Sequence, residues 1–264
     1  MTEGPRTWIA TLRRSHDNLA SLVEPMTPEQ VRGQSYCRDW TNAQVLSHLG
    51  SGAEIALMML PGALGEGPPA SRDDFPKVWD VWNAKSPDEM AADGLESDEK
   101  HVQRLEGLSD EEIAAARLDF LGMQLDATGI IRLRLGEHVM HTWDVAVMQD
   151  PTASVQADAV PLLIDNVPQF LAPRLGKPLP EQFRVRITTT GPVRDYLLSS
   201  AESVSVVNWL GDDAADDGAV PHVEMPAETL LRLSYGRMDP EHTPASVSGD
   251  PEVLDKLRAI FPGF

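Results

Sequence analysis

The sequence predicts an α+β protein of two domains, an all-helical bundle over residues 1–175 followed by a small α+β module over residues 181–264. Three observations carry this. Through the first part of the chain, apolar residues recur at three-to-four spacing, the repeat of a helix face. From Phe183 the period drops to two: Phe183, Val185 and Ile187 alternate with Arg184, Arg186 and Thr188, as in a strand with one buried side. Between the two patterns, residues 173–180 collect proline, glycine and lysine, the composition of a linker.

Taken in order, Trp8, Leu12, Ser15, Leu19, Leu22 and Val23 mark a first helix that Pro25 closes. Thr27-Pro28-Glu29-Gln30 carries the signature of a second start, with an N-cap threonine, a proline at the first helical position and a glutamine completing a capping box. Thr41 and Gln44 repeat that box ahead of a helix that carries Val45, His48 and Leu49 towards Pro61. Residues 62–71, rich in glycine, proline and alanine, form a loop. Helices follow over residues 75–85, with Trp79 and Trp82, and over 86–106, with Gly107 just past the end. The last helices of this half cover residues 122–148 and 157–171, and no strand is expected before residue 180. Beyond the first strand, further ones are expected at residues 195–199, 203–209, 221–225 and 245–248. The acidic run at 211–218 reads as a solvated hairpin loop; carboxylate clusters can bind calcium, but its spacing does not match an EF-hand. Pro226 opens a helix through Leu230, Leu231 and Leu233 that Gly236 ends, and Asp250 and Pro251 open a final one through Leu254, Leu257 and Ile260.

Composition excludes several function classes. With 264 residues, 42% of them hydrophobic, the chain can bury one large core or two modest ones. Its formal charge of −19 repels phosphate backbones and anionic bilayers, so neither a nucleic acid nor a membrane is expected as a partner. A small anionic substrate remains possible, since a local arginine can reverse the sign within a cleft. Cys37 is the single cysteine, so no intrachain disulfide and no thiolate-rich metal site can form. The N-terminal residues lack a signal-peptide layout and no apolar run reaches bilayer length, so a cytoplasmic location is expected.

Chemistry concentrates in two places. Glu137 and His141 lie four residues apart in Leu135-Gly136-Glu137-His138-Val139-Met140-His141-Thr142-Trp143-Asp144, and on a helix they project from one face. His48, on another helix, completes a His-Glu-His set that leaves coordination positions open, as in catalytic zinc sites. The pair shares its stripe with Leu133, Met140, Asp144 and Met148, so it should point inward and need a partner. The competing reading is a hydrogen-bonded Glu-His pair in the core. Asp144 suits the role of acceptor for a ligand imidazole N–H, or of a surface carboxylate near a helix end. His138, offset by about 100° from Glu137, is expected to face solvent or the rim. His16 is expected to be structural; His101, His222 and His242, in polar surroundings, are expected at the surface.

The segment Arg134 to Ala146 resembles the second metal motif of the mycothiol-dependent maleylpyruvate isomerase family, and Asp39-Trp40-Thr41 through His48-Leu49 resembles its first. That family belongs to the DinB-like four-helix metalloproteins. Leu230 to Arg237 and then Val247-Ser248-Gly249-Asp250-Pro251 are similar to its C-terminal domain, a small α+β module related to sterol carrier proteins. The resemblance implies zinc held by His48, Glu137 and His141, with an open position for water or the thiol of mycothiol. It further implies isomerisation or S-transfer on a small electrophile, with Arg237 as the catalytic arginine that holds a substrate carboxylate; a surface arginine near a helix end is the other reading of Arg237. A zinc hydrolase working without thiol, or a non-catalytic small-molecule-binding protein with a structural metal, are the alternatives. The chain departs from the family pattern at Gln44, where an acidic residue is common, and at Arg38-Asp39-Trp40, where a Pro-Gly-Trp turn is usual.

Overall fold

In the computed structural model, which describes residues 3–120, 122–210 and 220–263, the chain forms two compact units, divided in sequence between Ser154 and Val155. The first unit holds α1 (Pro5–Val23), α2 (Pro28–Arg32), α3 (Asn42–Ala63), α4 (Phe75–Asn83), α5 (Pro87–Glu106), α6 (Asp110–Ala115) and α7 (Ala127–Ala146). The long helices α1, α3, α5 and α7 pack on one another as a four-helix bundle. Their starts are written in the sequence. Capping boxes at Thr27/Gln30, Thr41/Gln44, Ser86/Glu89 and Ser109/Glu112 each satisfy backbone N–H groups that the first turn leaves free.

Helices α3 and α5 cross with their backbones almost touching. A Cβ on Gly50 would lie 2.4 Å from the Trp82 ring and 2.8 Å from Gly94 Cα, and a Cβ on Gly94 would lie 2.7 Å from the Leu46 carbonyl oxygen. Glycine inside a helix costs about 1 kcal/mol relative to alanine, and here it is retained because any side chain would force the helices apart. Leu12, Leu46, Val102 and Leu135 are wholly buried in the resulting core.

Two expectations fail in this unit. Strands β1 (Arg117–Phe120) and β2 (Met123–Asp126) form an antiparallel hairpin well before residue 180, with Leu118 opposite Leu125 and Gly122 at φ 78°. Four-residue strands are too short to establish a period-two pattern. The helix expected from residue 122 therefore starts at Ala127, where the Asp126 side chain caps it by accepting from the Gly129 N–H at 2.8 Å.

The second unit opens with α8 (Val160–Leu163), a π-helical turn at Val167–Leu171 and α9 (Ala172–Leu175), in place of the single helix expected over 157–171. Pro161 and Pro168 each lack the N–H that a continuous helix needs. This stretch packs with the second unit rather than the bundle: Asp165 accepts from Arg194 at 2.8 and 3.0 Å and from the Tyr196 hydroxyl at 3.1 Å. The compact units thus divide before the proline- and glycine-rich stretch at 173–180. Such composition marks where a helix ends, not which core it joins.

Strands β3 (Phe183–Thr190), β4 (Arg194–Ser200), β5 (Val204–Asn208) and β6 (His222–Pro226) make a sheet of order β5-β4-β3-β6, antiparallel except for the parallel β3/β6 pair. Val185, Ile187, Leu198, Val223 and Met225 are wholly buried, and α10 (Ala227–Ser234) packs over β3 and β6. The strand expected at 245–248 contributes only one bridge, Ser248 to Glu224, before α11 (Pro251–Ile260). The acidic run at 211–218 lies outside the described residues. Among those described, no helix is long and apolar enough to cross a membrane.

Candidate metal centre

The crossing of α3 with α7 brings His48 to Glu137 and His141. His48 Nε2 lies 3.4 Å from Glu137 Oε2, His141 Nε2 lies 3.7 Å from the same oxygen, and the two imidazole centroids are 4.7 Å apart. Zinc bonds of 2.0–2.1 Å in a tetrahedron place neighbouring ligand atoms about 3.3 Å apart. The separations match that edge and are long for hydrogen bonds. The side chains of His48 and Glu137 are 39% and 48% exposed, so the set is open on one side. Trp40 covers another side, its ring centroid 5.1 Å from His48 and 5.9 Å from His141. The arrangement offers three donors and free access, which is what a reactive ion needs.

The imidazole of His141 is held from behind. Its Nδ1 donates to Asp144 Oδ2 at 2.8 Å, which turns Nε2 towards Glu137. Asp144 is wholly buried, and the same oxygen accepts from Cys37 Sγ at 3.2 Å while the Asp144 carbonyl accepts from the Tyr36 N–H at 3.0 Å. Asp144 therefore takes the orienting role and not that of a surface carboxylate. The loop that presents Cys37 is fixed by Gln34, whose Nε2 donates to the carbonyls of Cys37 and Trp40, both at 2.8 Å. Gln44 is occupied by its cap, accepting from the Thr41 N–H at 2.8 Å.

Electrostatics follow from this packing. Burial would raise the Glu137 carboxyl, but hydrogen bonds from His141 and His48 hold it well below the usual carboxylate range. Desolvation lowers the His48 imidazole despite the nearby Glu137. Burial also opposes a charge on His141, yet hydrogen bonds with Asp144, Cys37 and Glu137 outweigh it and raise that imidazole to about 10. An ion entering the site would displace this proton, so the donor set fits a divalent cation both by spacing and by charge.

A second cluster lies beside the first. Asp98 on α5, wholly buried, accepts at Oδ2 from His16 Nδ1 and His138 Nε2, both at 2.8 Å, and at Oδ1 from Arg134 Nη2 at 2.6 Å. His138 Nδ1 meets Ser15 Oγ at 2.7 Å. His138, expected at the rim, is wholly buried, and His101, expected at the surface, is only 3% exposed, with burial driving its imidazole down to about 3. The 100° offset leads outward only when a helix buries one face, whereas α7 is buried on nearly all sides. His16 is structural as expected, and His222 is exposed beside Thr188. Asp98 and Arg134 escaped the sequence reading. Arg134 falls one turn before Glu137 and His138, a spacing that could have flagged it.

Arg237 lies in the second unit, directly after Gly236 with its φ of 77°. It is 6% exposed, and its Nη1 donates to the Tyr235 carbonyl at 2.7 Å. The buried guanidinium excludes the reading as a surface arginine.

Residues 12–146 match the family described as the mycothiol maleylpyruvate isomerase N-terminal domain. Over 95% of both chains, the fold is similar to a crystal structure of the mycothiol-dependent maleylpyruvate isomerase, with a TM-score of 0.68 at 14% identity. A histidine-to-alanine mutant of that enzyme gives a TM-score of 0.67 at 13% identity, again over 95% of each chain. No curated protein matches the sequence. The bundle, its two metal-type motifs and the matched span agree: this chain belongs to the mycothiol maleylpyruvate isomerase N-terminal domain family.

Proposed function

We propose that this protein is a zinc- and mycothiol-dependent enzyme that adds or transfers a low-molecular-weight thiol to a small electrophile, as a cis-trans isomerase or an S-transferase. The observation that carries this is the His48, Glu137 and His141 set, spaced at coordination edges and open on the side of His48 and Glu137. A structural zinc is instead closed by four protein ligands. Zinc bound there would supply Lewis acidity, lowering the pKa of a thiol that reaches its free position. His48, Glu137 and His141 hold the ion, Asp144 fixes the donor face of His141, and Trp40 keeps water from one side. The thiol is mycothiol and maleylpyruvate is the first electrophile to try, because the matched structure is named for both.

Arg237 is the proposed anchor for a substrate carboxylate, since a planar guanidinium grips both oxygens where lysine cannot. R237K should keep metal content and lower kcat/KM for carboxylate substrates by roughly tenfold, the equivalent of about 1.4 kcal/mol of transition-state interaction. Cobalt-substituted protein tests the central reading. Adding mycothiol should produce a sulfur-to-metal charge-transfer band together with thiol-dependent turnover. An unchanged spectrum at saturating thiol, with activity retained, would instead identify a hydrolase that needs no thiol.

A further inference from the structure

The three metal-type donors are not held by the same means. Glu137 and His141 sit one turn apart on α7, so the helix itself fixes their separation. His48 comes from α3, and its distance to Glu137 depends on how α3 and α7 are registered. One side chain joins these two helices within a turn of the donors. Arg134, on α7, sends Nη2 to the carbonyl of Leu49, the residue after His48, at 2.8 Å. The same nitrogen donates to Asp98 Oδ1 on α5 at 2.6 Å. Asp98 is fixed in turn by His138 on α7 and His16 on α1, so its position is set from three sides.

Space for the guanidinium is reserved by Gly52, where a Cβ would lie 3.0 Å from Arg134 Nη1. The side chain of Arg134 is 10% exposed, and its Nε is buried with no acceptor among the described residues. Burying a guanidinium with an unsatisfied N–H opposes stability. Hydrophobic packing alone could join α3 to α7 without that cost, so the position of this charge needs a reason beyond the core.

We propose that Asp98 and Arg134 form a clasp that registers α3 against α7, with Arg134 the positioning residue that holds His48 at coordinating distance from Glu137. This rests on the reading of His48, Glu137 and His141 as metal ligands. Residues that orient metal ligands from behind change metal affinity by roughly tenfold to a hundredfold when removed.

The test is zinc affinity by competition with a chromophoric chelator, run beside the ligand-field spectrum of the cobalt form and a thermal unfolding curve. R134Q should remain folded, bind zinc roughly tenfold to a hundredfold more weakly and show an altered cobalt spectrum. R134Q that binds zinc within about twofold of wild type, with an unchanged cobalt spectrum, overturns the clasp while leaving the ligand assignment standing. Wild-type protein that takes up no metal overturns both. Should R134Q fail to fold, G52A replaces it, because alanine favours the helix while its Cβ would press on Arg134 Nη1 at 3.0 Å and push the guanidinium from its place by a few tenths of an ångström. Weaker zinc binding by G52A is then expected, and unchanged affinity with an unchanged spectrum overturns the proposal.

Discussion

Around Asp98, two histidines and a carboxylate are drawn together at 2.8 Å; around Glu137, the same residue types stand 3.4 and 3.7 Å apart. The two clusters neighbour each other along α7, and in each of them three potential ligand atoms lie within 4.8 Å of one another. Composition does not separate them. In the first, the carboxylate is already saturated by His16, His138 and Arg134, and all three members of the set are buried. In the second, Glu137 meets only the imidazoles of His48 and His141 among the described residues, and the set opens outward on the side of His48 and Glu137. A closed cluster holds a fold together, whereas an open one with separated donors can hold an ion.

Substitution should split the two. H48A or H141A should abolish metal binding, measured as metal per chain, and H48A should change the stability of the metal-free protein by less than about 1 kcal/mol, since its side chain is part-exposed. D98A should instead cost the fold about 3–5 kcal/mol, because the buried Arg134 charge would lose its partner, as read by denaturant unfolding, and should weaken zinc binding only as far as the clasp is lost. Full metal occupancy in H48A and H141A would dissolve the contrast.

Between these extremes lies Asp144, which belongs to the open cluster but is itself buried. D144N still accepts from His141 but loses its charge, and should weaken zinc binding by roughly tenfold in a chelator competition. An unchanged affinity would reduce Asp144 to a packing residue.

Acid sharpens the comparison further. Burial would raise the Asp98 carboxyl, but the His138 and Arg134 charges and the hydrogen bonds it accepts hold it well below its ordinary value. A carboxyl depressed in the folded state stabilises above its unfolded pKa of about 3.9 and loses that contribution as pH falls further. The stability gap between wild type and D98N should therefore be flat from neutral pH to about 5 and shrink below about 4. A gap that stays constant to lower pH would mean that the charge of Asp98 is not what holds the closed cluster. Cys37 should matter least: C37S keeps a donor to the Asp144 carboxylate and should shift metal affinity by less than about threefold, since one hydrogen-bond donor replaces another.

The open cluster was legible because two of its members share a helix at a helical interval and the third follows a capping box. The closed one was not, because His16, Asp98 and His138 come from three helices and no spacing relates them. Asp98 also sits inside Glu96-Ser97-Asp98-Glu99-Lys100, a run that reads as a solvated face. The four-helix bundle and the main sheet were readable from capping and alternation, while the hairpin at 117–126 was too brief to leave a period. Where residues 155–175 pack was hidden for a different reason: Asp165 meets Arg194 across 29 residues, a pairing no local pattern encodes.

Alanine is the routine replacement when an engineer seeks to harden a helical protein against heat, and Gly50 and Gly94 would be obvious targets. In this chain each added methyl would act as a wedge, that of Gly50 against Trp82 on α4 and Gly94 on α5, that of Gly94 against the Leu46 carbonyl on α3. His48 lies between Leu46 and Gly50, so the wedge would be driven in beside a donor atom. Thermostabilised variants should therefore leave both positions alone, and the reach of His48 towards Glu137 is kept by two methyl groups that are not there.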